Sequence, residues 1–157
     1  MHTEENVGVQ GMFRLQITEE GKVMGDSGWV KNTITDAGKN DYLALTLGKL
    51  AGSKQVEFGA LGEGTLVDAS QSSLDAELTD AANIRMSLTP ATIDGSGHIE
   101  FGFVLASGIA TAPHTISNVG LFDASVPGAG QIFAGNTFAS SALAVNQAVN
   151  GTYRINF

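Results

Sequence analysis

Residues 98–105 read HIEFGFVL, and residues 152–157 read TYRINF. In the first stretch Ile99, Phe101, Phe103 and Leu105 fall on one face of an extended chain. In the second, Tyr153, Ile155 and Phe157 do the same, with Thr152, Arg154 and Asn156 opposite. A period of two is the signature of a strand with one face buried. Both stretches lack the 3.6-residue recurrence of a helix. They predict a β-rich core.

The same alternation appears outward from these stretches. Phe13, Leu15 and Ile17 alternate with Arg14, Gln16 and Thr18. Glu19-Glu20-Gly21-Lys22 predicts a turn, after which Val23 to Thr33 returns as a second strand, broken near Gly25–Gly28. Further strands are predicted at Gln55–Leu61, Ile84–Leu88, Thr115–Phe122 and Gln131–Phe138. Asp94-Gly95-Ser96-Gly97 and Asn150-Gly151 carry the chemistry of hairpin turns. Residues 65–82 are polar and irregular, with one helical turn near Leu74–Leu78. A single helix is predicted over residues 36–51: Thr35 or Asp36 can cap it, Leu43, Leu47 and Leu50 recur at helical spacing, and Gly52 can end it. The fold class is therefore mainly β, a β-sandwich or jelly-roll-like domain of about eight strands with one main α-helix.

The length of 157 residues suits one domain with a substantial core. Residues 9–157 read as that domain. Residues 1–8 are polar and acidic and read as a flexible arm, without the basic start and apolar run of a signal peptide. There is no cysteine, which excludes disulfides and cysteine-based zinc sites. The net charge of −8 gives nucleic-acid binding no electrostatic support. No apolar run reaches the ~20 residues that span a bilayer. Only 15% of residues are charged, so much of the surface must be uncharged polar or backbone, which suits packing against other proteins.

The residues supply few materials for catalysis. Of the three histidines, His2 lies in the arm, His98 starts a strand and His114 follows Pro113 in a loop. None is placed by sequence beside an activated nucleophile, and there is no Gly-x-Ser-x-Gly elbow. Gly59-Ala60-Leu61-Gly62-Glu63-Gly64 lacks the Lys-Ser/Thr of a phosphate loop and carries an acid. Asp94-Gly95-Ser96-Gly97 offers one carboxylate where a calcium loop spaces several ligands. The pairs Glu4-Glu5 and Glu19-Glu20 read as solvated, and the sequon at Asn150-Gly151-Thr152 reads as a turn. No catalytic, cofactor or metal residue is assigned. Trp29 and Phe138 are the candidate interface anchors, weighed against ordinary core packing.

Three segments, in order, resemble a pattern of tailed-bacteriophage tail-collar and tail-fibre-like domains. The first is Lys31-Asn32-Thr33-Ile34-Thr35-Asp36-Ala37-Gly38. The second is Phe58-Gly59-Ala60-Leu61-Gly62-Glu63-Gly64-Thr65, followed by Ser73-Leu74-Asp75-Ala76-Glu77-Leu78 and Arg85. The third is Thr115-Ile116-Ser117-Asn118-Val119-Gly120-Leu121-Phe122-Asp123, leading through a glycine-rich turn to Ile132–Phe138 and a final strand. Together they span roughly residues 30–157. Asn118 departs from the pattern, which has Glu there. The resemblance implies a virion protein assembled in the host cytoplasm, without catalytic activity. It would bind other virion proteins in capsid, neck or tail as a homo-oligomer, with a trimer favoured. The implied alternative is a receptor- or glycan-binding module of a tail fibre.

Overall fold

The computed structural model describes residues 8–48, 51–65, 67–93 and 97–156. Two antiparallel sheets pack face to face as a β-sandwich. The first has the order β2-β1-β11-β8-β7, with β3 also pairing β1. Its strands are β1 (Gln10–Glu19), β2 (Lys22–Asp26), β3 (Val30–Lys31), β7 (Thr92–Ile93), β8 (His98–Leu105) and β11 (Ala148–Asn156). The second has the order β4-β10-β9-β5-β6. It comprises β4 (Thr33–Ile34), β5 (Phe58–Gly62), β6 (Met86–Ser87), β9 (His114–Phe122) and β10 (Ile132–Leu143). Among the described residues no helix is long and apolar enough to cross a membrane.

The alternation in the sequence becomes the core. Phe13, Leu15 and Ile17 of β1, Phe103 and Leu105 of β8, and Tyr153 and Ile155 of β11 are buried. They meet Leu61, Ile116, Val119, Leu121 and Phe133 of the second sheet. Tyr153 lies at the centre, 4.6 Å from the ring of Phe13 and edge-on to Phe133 at 6.2 Å. Burial pushes its hydroxyl well above the ordinary tyrosine range. Phe157 lies outside the described residues, as do the arm up to Val7 and three residues of the Asp94–Gly97 turn. The antiparallel pairing of β7 with β8 flanks that turn.

Several expectations need correction. There are eleven strands among the described residues rather than about eight. The predicted break at Gly25–Gly28 falls between β2 and β3, but the strand divides once more because the chain changes sheets at Asn32: β3 pairs β1, whereas β4 pairs β10. Asn150-Gly151 is not a turn. Both residues lie within β11, where Gly151 stands opposite Phe103. A Cβ at Gly151 would sit 2.0 Å from Cε2 of Phe103, so the ring needs the glycine as floor. The helix, α1, is π-wound over Gly38–Ala44 and α-wound over Leu45–Leu47, and Gly48 caps it. It therefore ends before Gly52. Leu50 and the Leu47 side chain lie outside the described residues. Leu74–Leu78 forms no helical turn. Instead Glu77 makes a bridge to Gly62.

β9 does not alternate. Seven consecutive residues from Ile116 to Phe122 are buried. The reason lies in residues 63–85, which wrap the outer face of the second sheet. Leu74 and the half-buried Val67 cover Ala60, Phe122 and Ile132 there, making a second small core. A strand covered on both faces reads as a continuous apolar run.

Candidate interaction surfaces

The three segments that carry the phage resemblance meet in one place. Thr35, fully buried, donates its hydroxyl to the carbonyl of Ile132 at 2.5 Å and accepts from the Gly38 N–H at 2.9 Å. It caps α1 and ties the helix to β10 at once. Gly38 packs so closely that a Cβ would lie 2.1 Å from the Phe133 oxygen. β5 of the second segment pairs β9 of the third along Phe58–Gly62. Asn118, fully buried on β9, donates from Nδ2 to the Asp75 carbonyl at 2.8 Å. A glutamate there could not donate in its ionised form, so the departure from the pattern changes how the wrap is held.

Arg85 anchors the wrap. Its Nε lies 2.6 Å from Glu77 Oε1 and its Nη2 3.0 Å from Oε2, a two-pronged contact with both side chains almost fully buried. Nη1 donates to the carbonyls of Ala124 and Ala129 at 2.6 and 2.8 Å. The guanidinium also stacks 3.9 Å from the Phe122 ring centre. Every nitrogen of the guanidinium has a partner, which helps a buried ion pair to be tolerated. The clamp fixes the glycine-rich loop 123–130 against the wrap.

Sequence reasoning missed a second cluster. His114 begins β9 rather than lying free in a loop, and its side chain is only 12% exposed. Its Nδ1 lies 3.3 Å from Glu63 Oε1. Its Nε2 lies 3.2 Å from Asp80 Oδ1, close enough for charge attraction but off the line of a hydrogen bond. Glu63 also accepts from the Thr115 N–H, and Asp80 from the N–H and hydroxyl of Thr111. Burial pushes the Asp80 carboxyl up, but the Thr111 donors and His114 outweigh it and hold it at about 2. Both ring nitrogens face carboxylates, so the arrangement acts as a latch between the wrap and β9. His114 lies 51 residues beyond Glu63 and 34 beyond Asp80, which hid the cluster.

The two sequence-chosen interface candidates are not brought together. Trp29 is half-buried on the outer face of the first sheet, where Arg154 lies 4.4 Å above its ring. Arg154 also donates to Glu100 at 2.9 Å. Phe138 packs partly against the main core at the open seam between the sheets. A separate apolar groove of about 650 Å³ is lined by Val9, Leu43, Val56 and Phe101 beside α1. No known protein family, curated protein or solved structure matches this chain.

Proposed function

We propose that this chain is a structural component of a tailed-phage virion, binding other virion proteins as a capsid decoration or as a neck or tail attachment protein. One observation carries the reading. The segments that resemble phage tail-collar domains, far apart in sequence, interlock through Thr35, Asn118 and Arg85 into one hydrogen-bonded unit. Chance similarity of short motifs would not require them to be neighbours. The low charge and the apolar groove beside α1 supply surface suited to protein contacts. Negative-stain microscopy of intact particles with an antibody to this chain is the test. Regularly placed label is expected, and unlabelled particles would refute the proposal.

A second reading draws on Trp29. Its place on an outer sheet face, beside Arg154, is compatible with a glycan-binding module. One ring face is already covered by Arg154, which leaves less aromatic platform for a sugar. A glycan array without hits would remove this reading.

A further inference from the structure

Residues 124–153 contain no Asp, Glu, Lys, Arg or His, although the chain as a whole carries −8. The stretch builds β10 and most of β11. In its sheet, β11 is enclosed between β1 and β8. The two halves of β10 differ. β4 pairs it only at Ala134 and Gly135. There Asn136 Nδ2 holds the Lys31 carbonyl at 2.7 Å, where the chain leaves for the other sheet. From Asn136 to Leu143, β10 has β9 on one side and, among the described residues, no strand on the other.

This free edge borders a groove of about 370 Å³ between the sheets. Leu15, Ile17 and Val30 line it from the first sheet, and Ile116 and Phe138 from the second. The β9–β10 register slips here. Thr137 pairs Asn118 and Ser141 pairs Ile116, so Phe138, Ala139 and Ser140 stand opposite Ser117 alone. The slip leaves Phe138 at the groove and Ala139 and Ser140 exposed.

An unpaired strand edge presents main-chain donors and acceptors that another extended strand satisfies. Edges that must stay single are defended by charge, by proline or by a bulge, and of these the β10 edge has only the slip at Phe138–Ser140. The β2 edge fits that rule, carrying Lys22 and Asp26 beside the exposed Val23 and Met24. The β10 edge carries no charge at all. Two copies at −8 repel one another, and an uncharged edge is where they can approach without opposing like charges.

We propose that Asn136–Leu143 of β10 pairs antiparallel with the same edge of a second copy across a twofold axis. An antiparallel strand pair is self-complementary, as an isologous contact requires. The inference concerns self-association and does not rest on the virion role.

Light scattering after size exclusion tests it on the full chain. The expected mass is twice the 16.2 kDa of one chain. Ala139→Lys with Ser140→Lys, both at exposed positions, places like charges across the axis. It should raise the dissociation constant by about 100-fold or more, with an unchanged circular dichroism spectrum. Val23→Lys on the β2 edge should leave the mass unchanged. Slow amide exchange across residues 136–143 in the wild type, lost in the lysine variant, is the second readout. A wild type that remains a single chain would overturn the pairing, as would an oligomer whose mass the β10 lysines do not alter. Labelled particles alongside either of those results would leave the virion reading standing, and unlabelled particles alongside a β10-paired dimer would leave this inference standing.

Discussion

Gly151 shows how one position can mislead a sequence reading and still be dictated by physics. Next to Asn150 it suggests a turn, yet it sits mid-strand because the Phe103 ring lies across it. Phe103 is also 3.0 Å from where a Cβ would stand on Gly59, so the ring fills the space between two glycines from different sheets. Gly151→Ala should therefore destabilise the fold by about 1–3 kcal/mol, the usual cost of overpacking a core. Denaturant titration measures it. In a Phe103→Leu background the added methyl finds room, so the same substitution should cost less. Equal costs in the two backgrounds would show that the ring is not the reason for the glycine.

At the scale of elements, the β1–β2 hairpin turns through Glu20 at φ 47° and Gly21 at φ 78°. Two successive left-handed residues make a type I′ turn, which favours Asn-Gly. Glu20→Asn should raise stability by up to about 1 kcal/mol, since asparagine tolerates that backbone better. A lower melting temperature would contradict it. The wrap over residues 63–85 depends on Arg85. Arg85→Met leaves Glu77 buried without its partner, at a cost of about 3–5 kcal/mol. Adding Glu77→Leu should recover most of that loss. If the double variant is no more stable than Arg85→Met alone, the clamp does not act as a pair. The strands of the main core were legible because each buries one face, so Phe13, Leu15 and Ile17 announce themselves by period alone. The wrap was not. Its polar sequence hides Leu74 and Leu78 among turn residues, and its anchors, Arg85 with Ala124 and His114 with Asp80, join points that no local pattern connects. β10 runs on past the predicted end at Phe138 to Leu143, and the register slip between them breaks the alternation that identifies a strand.

For the molecule as a whole, the two cores are held by different forces. The sandwich interior is apolar, from Phe13 and Tyr153 through Val119 and Phe133. The wrap covers a small apolar cluster but is tied down by carboxylates, at Glu77, Glu63 and Asp80. Asp80 in the fold holds its carboxyl at about 2, below the ordinary aspartate value of about 3.9. A depressed value contributes stability that is present above the unfolded value and is lost as pH falls through the folded one. The contribution of Asp80 is therefore intact at pH 5 and above and disappears between about pH 4 and pH 2. Acid should loosen the wrap while the apolar sandwich still stands. Trp29, the sole tryptophan, lies on the outer face of the first sheet, away from the wrap, so its fluorescence reports the sandwich. On lowering pH, amide protection over residues 67–85, measured relative to the intrinsic exchange rate at each pH, should fall before Trp29 emission changes. Asp80→Asn, which cannot take up the proton, should narrow the gap between the two transitions. A single transition seen by both probes in the wild type would mean that wrap and sandwich unfold as one unit, with the latch contributing no separate step.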